Sequence, residues 1–121
     1  PLTADVLNEL YRERFELYYG DSVDLEELTP VTWARIPHFF GSPYYVYQYA
    51  TCFASAARIV QDIRRGDVSA RDRYLEMLAA GGSDHPMTLL RNAGVDLTDP
   101  STVQAVVEQL DTLVTQLEAL V

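Results

Sequence analysis

Lysine is absent from this chain of 121 residues, and histidine and cysteine are scarce, with two and one respectively. The nine basic residues are therefore all arginine, and with 18 acidic residues they give a net charge of −9. Because nucleic-acid binding draws its affinity from clustered Lys and Arg, this balance argues against a phosphate-binding surface. A single cysteine cannot form an internal disulfide, and no secretion signal opens the sequence. A cytoplasmic protein that does not bind nucleic acid is expected.

Long apolar runs are also rare, and only the stretch from Tyr44 to Val60 raises the question of a membrane span. About 18 apolar residues are the minimum for crossing a bilayer, and the acidic remainder of the chain supplies neither basic flanks nor a second span. We therefore expect a folded globule rather than a membrane protein.

The sequence lacks the usual motifs for binding metal or phosphate. The zinc motif H-E-x-x-H is absent, since Phe39 follows His38 and Pro86 follows His85. No metal site formed by this chain alone is expected. Cys52 lies among small apolar residues, so the sequence predicts a buried and inert thiol.

The pattern of apolar residues predicts an all-α fold, with about five helices around one central apolar helix. No stretch alternates with a period of two for long enough to predict a strand. The main predicted helices cover about residues 3–19, 42–65, 69–80, 86–93 and 100–120, and a short helical segment covers residues 31–35. The helix 42–65 is apolar on nearly all faces up to Val60, so we expect other helices to surround it.

Side-chain acceptors predict where these helices begin. The predicted N-terminal signals are Thr3, Ser42 with Pro43, Ser69 with Asp72, Ser83 and Asp84 before Pro86, and Thr98 or Asp99 before Pro100. In the last helix, apolar residues recur at steps of three and four, as in a seam against another helix: Val103, Val106, Leu110, Leu113, Leu117 and Leu120.

One histidine and a group of tyrosines are the candidate functional residues. His38 precedes the predicted helix 42–65, which would present Tyr45 and Tyr49 on one face, four residues apart. In one interpretation, His38 satisfies a hydrogen bond in a loop and the tyrosines pack at the edge of the core. In the other, the imidazole and the phenols share a cleft and donate hydrogen bonds to a peptide carbonyl and to the oxyanion formed on attack.

Three stretches occur in a fixed order along the chain: LTADVLNELYRERFELYYG, WARIPHFFGSPYYVYQYAT and YLEMLAAGGSDHPMTLLRNAGVDLTDP. Together they resemble the C-terminal segment of the oligoendopeptidase F family, zinc peptidases of the thimet-oligopeptidase-like group. The resemblance covers nearly all of the chain.

This resemblance implies a helical enzyme that cuts short peptides in a deep channel, with its zinc held by an upstream H-E-x-x-H motif and a further glutamate. By motif position, it implies that His38 and Tyr45 bind substrate and stabilise the oxyanion, and that Tyr47 and Tyr49 contact substrate. The sequence departs from the family where Tyr is common, at Phe40, and where Gly is common, at Cys52.

The resemblance, together with the absent zinc motif, predicts how this chain takes part in catalysis. Residues 1–121 would form a single helical C-terminal segment of a metallo-oligopeptidase, and the opening Pro1 fits a boundary within a longer polypeptide. Zinc would belong to the parent enzyme, and the chain alone would be inactive. Its partners would be the missing N-terminal catalytic region and short peptides, and exposed apolar helix faces would allow homo-oligomers. The alternative is a freestanding helical module for peptide binding or self-association, without catalysis.

Overall fold

The computed structural model describes residues 1–121. The α-helices are α1 (Ala4–Tyr19), α2 (His38–Gly41), α3 (Tyr47–Arg64), α4 (Val68–Ala80), α5 (Pro86–Asn92) and α6 (Pro100–Glu118). Two 3-10 helices, Gly20–Ser22 and Thr29–Arg35, lie between α1 and α2, and there are no strands. The predicted all-α fold is confirmed, and no helix has the length and hydropathy that crossing a bilayer requires. The chain divides into two units, Pro1–Val46 and Tyr47–Val121.

The first unit consists mainly of α1 and the 3-10 helix Thr29–Arg35 packed against it. Thr3 caps α1 as predicted, because its hydroxyl accepts a hydrogen bond from the N–H of Val6, and Gly20 ends the helix with a φ of 53°. The indole Nε1 of Trp33 donates to Oδ1 of Asn8 at 2.8 Å. This bond satisfies a half-buried indole and fastens the segment before His38 to α1.

The long apolar helix begins later than the sequence pattern predicts, at Tyr47 rather than Ser42. Ser42 instead follows the end of α2, where its N–H donates to the carbonyl of His38 at 3.0 Å. Pro43 and Tyr44 form a turn, and Tyr44 has a φ of 62°. The predicted helix start is wrong because the fixed φ of proline suits the second position of a turn as well as the first position of a helix.

The second unit is arranged around α3, with α4 and α6 packed against it. Its buried apolar residues are mostly small: Ala54, Ala57, Ile59, Ala70, Ala93, Val95 and Ala105. Small side chains at these positions allow the helix backbones to approach closely. Phe53 and Val60 of α3 remain 62% and 45% exposed, so the apolar surface of this helix extends beyond what its neighbours cover.

Polar side chains also join α3 to α6. Arg58, which pairs with Asp62 of the same helix at 3.0 Å, donates to the hydroxyl of Ser101 on α6 at 3.3 Å. Further along, Gln61 donates to the carboxylate of Glu108 at 2.7 Å. The bonds to Ser101 and Glu108 hold the two helices side by side over one to two turns.

The helix caps of the second unit match the predictions only in part. Of the two predicted candidates, Thr98 and Asp99, it is Asp99 that caps α6, accepting a hydrogen bond from the N–H of Ser101 at 2.8 Å. Asp67 rather than Ser69 caps α4, and His85 rather than Ser83 or Asp84 caps α5. Asp67 is the cap because its carboxylate accepts hydrogen bonds from two successive N–H groups, those of Ser69 and Ala70. Ser69 itself already lies inside the helix.

Most of the predicted seam of α6 is exposed instead of packed, and of its residues Val106 is half-buried. The buried residues of this helix are Thr102 and Ala105, whereas Val103, Leu110 and Leu117 are 58%, 62% and 63% exposed. We use the name α6 stripe for the exposed apolar residues that recur at alternating steps of four and three: Val103, Val107, Leu110, Val114 and Leu117. The sequence pattern gives the correct helical spacing of these apolar residues. The side of α6 that packs against α3 is instead formed by smaller residues, Thr102 and Ala105.

Candidate functional site

His38 opens the one-turn helix α2, directly after Pro37. The carbonyl of Pro37 accepts hydrogen bonds from the N–H groups of Phe40 and Gly41, at 3.1 and 3.2 Å. The φ of −64° at Pro37 is compatible with this start, because proline is already fixed near helical geometry. The imidazole is therefore carried by a short ordered element, and the residue is half-buried.

A tight turn after α2 returns the chain towards His38. The N–H of Tyr45 donates to the carbonyl of Ser42 at 3.2 Å, which closes a four-residue turn. Pro43 occupies the second position and Tyr44, with its φ of 62°, the third. A negative φ at proline followed by a positive φ defines a type II turn, whose third position is usually Gly or Asn.

This turn brings His38 and Tyr45 together. Their ring centroids lie 5.2 Å apart and the ring planes differ by 5°, which is an offset-stacked pair. Tyr45 is 41% exposed, so the pair reaches the surface of the first unit. A phenol carries one O–H donor and a neutral imidazole one N–H donor, and a peptide carbonyl can accept from both. The predicted proximity of the two rings is therefore found, whereas their catalytic role stays a prediction.

Tyr47 and Tyr49 occupy the first turn of α3, in the second unit. They are 61% and 57% exposed, and residues two apart on a helix lie on nearly opposite faces. The expectation that Tyr45 and Tyr49 share one helix face is wrong, because Tyr45 precedes the helix. A role of Tyr47 and Tyr49 in substrate binding stays a prediction.

Sequence reasoning missed the left-handed residue at the centre of this region. Tyr44 was assigned to a helix, where its φ would be negative. The available signal was the pair Ser42-Pro43, which is as typical of the first half of a turn as of a helix start. Nothing in the sequence marks Tyr44 itself, since bulky residues are rare at positive φ.

Phe40 lies beside the candidate pair in sequence and packs in another direction. Its ring centroid is 6.0 Å from that of Trp33, with an interplanar angle of 37°. A phenylalanine at this position retains the aromatic contact with Trp33 and adds no hydrogen-bond donor.

The side chains of this chain do not fit a zinc centre. No group of three or more His, Cys, Asp or Glu side chains is placed to hold a metal ion. Cys52, which was predicted to be buried, is exposed on α3. That prediction is wrong because its small neighbours on the helix, Ala54 and Ala57, are the residues that face the core.

The carboxyl groups with lowered pKa values serve helix caps and a loop of the second unit rather than this site. The hydroxyl of Ser69 lowers the pKa of Asp67, that of Thr98 lowers the pKa of Asp96, and the backbone N–H of Ser101 lowers the pKa of Asp99. Hydrogen bonds to the charged form produce these shifts. They indicate cap chemistry and not an acid–base pair.

An open groove of about 360 Å³ runs between α3 and α6 in the second unit. Its polar rim includes Gln61, Arg65 and Glu108, which bond to one another across the two helices. None of the predicted site residues lines it. The stacked pair at His38 is therefore the better candidate for chemistry.

Comparisons with known proteins identify relatives of the whole chain. The sequence model of peptidase family M3 matches residues 1–109. The group B oligopeptidase PepB of Streptococcus agalactiae is 40% identical over 120 residues, and the oligopeptidase PepF of Bacillus subtilis is 36% identical over 120 residues. A protein of Chlamydophila abortus with a solved crystal structure matches the entire chain with a TM-score of 0.88 and 32% identity.

These relatives are much longer than the chain described here. The matched region covers 99% of this chain but only 20% of the S. agalactiae protein and 18% of the B. subtilis protein. In the C. abortus structure the match covers 20% of that chain. The chain thus spans about a fifth of the length of the relatives it matches.

Proposed function

The chain belongs to peptidase family M3, and from this membership we propose that it is the C-terminal portion of a zinc-dependent oligopeptidase that hydrolyses short peptides. Its relatives of matching sequence are named oligopeptidases or oligoendopeptidases. In this proposal the chain supplies part of the substrate channel, and the rest of the polypeptide, in the cytoplasm, supplies the zinc centre. The chain alone is inactive.

The stacking of His38 on Tyr45 is the observation that carries the proposed residue roles within this function. An imidazole and a phenol held together at a surface can both donate to the carbonyl oxygen of a bound peptide. Such bonds strengthen as negative charge develops on that oxygen, and each donor typically contributes about 3–4 kcal/mol to transition-state stabilisation. Tyr47 and Tyr49, exposed at the start of α3, are proposed to contact the peptide elsewhere.

The accessible surface of the chain supports a covering partner. Its area is 9470 Å² for a mass of 13.6 kDa. Two separate compact bodies with the sizes of the two units would expose only about 7,900 Å² in total. The excess includes the apolar side chains of the α6 stripe, which are exposed over its full length. We propose that the remaining four-fifths or so of the family length covers part of this area.

Hydrolysis by the complete protein tests the proposed residue roles. His38→Ala is expected to lower kcat by about 100- to 1,000-fold, the usual consequence of removing one oxyanion donor. The control is His85→Ala, which removes the other histidine, a cap of the short helix α5, and should leave kcat near that of the parent. Equal kcat values for the two variants would contradict the proposed role of His38.

A separate experiment tests the proposal that the chain needs an upstream region for peptide hydrolysis. The isolated chain with added zinc should show no peptide hydrolysis, whereas mixing it with a complementary upstream fragment should produce some. The isolated chain should also form dimers or larger assemblies through its exposed apolar faces. Hydrolysis by the chain alone would show that the roles are wrongly assigned, and a monomer at high concentration by light scattering would contradict the association.

A freestanding module for peptide binding or self-association is the second candidate. The exposed α6 stripe favours it, because an open apolar helix face is a common site of association. The two candidates differ in what the gene encodes upstream of Pro1. An in-frame H-E-x-x-H motif there would exclude the freestanding module.

A further inference from the structure

The backbone at Tyr44 is the strained point of the first unit. Tyr44 is the one residue other than glycine in the chain with a positive φ, and its side chain is 90% exposed. Left-handed geometry crowds Cβ against the following carbonyl, so a bulky residue rarely adopts it without a constraint. Such strain persists where the surrounding structure imposes it, and it is frequent at functional sites.

The constraint on Tyr44 is visible on both sides of it. Pro43 holds a negative φ at the second position of the turn, and the N–H of Tyr45 is bound to the carbonyl of Ser42 at 3.2 Å. With both fixed, a positive φ at Tyr44 is the geometry that completes the type II turn. The ring of Tyr45 is then stacked on His38 at 5.2 Å.

We propose that the left-handed conformation of Tyr44 positions the phenol of Tyr45 against His38, which makes Tyr44 a positioning residue for peptide hydrolysis. The inference rests on the proposed function of His38 and Tyr45. Tyr44 acts through its backbone, since its side chain is 90% exposed and the ring stacked on His38 is that of Tyr45. Any residue that tolerates positive φ should therefore serve at this position, and one that does not should release Tyr45.

The test compares Tyr44→Gly with Tyr44→Val in the complete protein. Glycine adopts positive φ freely, whereas the β-branched valine is among the residues least able to do so. We expect the valine variant to have a kcat about tenfold or more below that of the glycine variant, with a smaller difference in KM, because the affected hydrogen bonds act mainly in the transition state.

Tyr18 provides the matched control, because it is an exposed tyrosine, at 82%, within the helix α1. Inside a helix valine is favoured over glycine, so Tyr18→Val should be at least as stable to heat as Tyr18→Gly. The kcat values of these two variants should agree. At position 44, in contrast, the glycine variant should have the higher kcat. That result would show that the backbone φ, and not the loss of the tyrosine ring, controls the rate.

The outcomes separate this inference from the function on which it rests. If Tyr44→Val and Tyr44→Gly have equal kcat values while His38→Ala and Tyr45→Phe are impaired, the positioning role is overturned and the proposed function survives. If His38→Ala and Tyr45→Phe hydrolyse peptides normally, the proposed function fails and the inference fails with it. A crystal structure of the Tyr44→Val protein is the second measurement, and rings still stacked on each other would also overturn the inference.

Discussion

Replacing Tyr45 in two steps separates the contribution of its hydroxyl from that of its ring. In Tyr45→Phe the ring remains and can still stack on His38, at the centroid distance of 5.2 Å and interplanar angle of 5° seen here. In Tyr45→Leu both the hydroxyl and the aromatic face are removed. If the phenol acts as a hydrogen-bond donor to the developing oxyanion, the first step should account for most of the loss.

The two steps differ in expected size. Loss of one oxyanion donor lowers kcat by about 100- to 1,000-fold, or roughly 3–4 kcal/mol. An aromatic stack contributes about 0.5–1.5 kcal/mol beyond the area it buries. Because Tyr45 is 41% exposed, we take the lower part of that range, about 0.5–1 kcal/mol. The leucine variant should therefore fall only about two- to fivefold below the phenylalanine variant.

The assay is hydrolysis of a fluorogenic short peptide by the complete protein, with kcat and KM determined separately. Tyr18→Phe, which removes a hydroxyl from an exposed tyrosine of α1, is the matched control and should behave as the parent does. A Tyr45→Phe variant with a kcat within about threefold of the parent would refute the donor role. A leucine variant far below a nearly normal phenylalanine variant would assign the effect to the ring.

Two further predictions concern the stability of the second unit, measured by urea unfolding. Gly94→Ala should destabilise it by about 0.5–1 kcal/mol more than Gly66→Ala does. Both glycines have a positive φ, at 92° and 88°, so the backbone strain is similar. Only the Cβ added at Gly94 meets the guanidinium of Arg73, at 3.3 Å. Equal losses would show that Arg73 moves aside freely. Stability should also fall as the pH drops below about 4, since the pKa of Asp99 is lowered by the N–H of Ser101 and its contribution is lost as the carboxylate is protonated. Asp99→Asn keeps a cap acceptor that does not titrate, so its unfolding should depend less on acid pH, and an unchanged pH dependence would contradict this account.

Short-range features of the fold were predictable because their causes lie within a few residues. Thr3 caps α1 as the sequence indicates, and Asp99 is one of the two candidates predicted for α6, while Gly20 and Gly94 follow α1 and α5 with positive φ. In each case one side-chain acceptor, or one residue free to adopt positive φ, is the nearest solution for the unpaired groups at a helix end.

Prediction failed where two local solutions compete. Ser42 with Pro43 fits a helix start and a turn equally well, and the structure forms the turn. Asp67 and Ser69 are both acceptable caps, and the carboxylate that reaches two N–H groups is used. In both cases the choice depends on atoms that the local sequence pattern does not specify.

Burial was predicted least well, because periodicity identifies an apolar face without identifying what covers it. The seam of α6 was recognised from its spacing, yet Leu110 and Leu117 are exposed and Ala105 faces the core. Cys52, expected to be buried because it lies among small apolar residues, is exposed as well.

The candidate site and the exposed faces therefore depend on different parts of the protein. The geometry of His38 and Tyr45 is set within residues 37–45, by one turn of helix and one type II turn, both closed by backbone hydrogen bonds of this segment. The exposed faces of α3 and α6, in contrast, lack within this chain the cover that their apolar side chains favour. If the chain is part of a longer peptidase, as proposed, its isolation should change solubility and association before it changes the stacked pair. If the proposed function holds, the same segment should keep this geometry in the longer polypeptide, so that Tyr45→Phe tests the chemistry of the phenol without altering the fold.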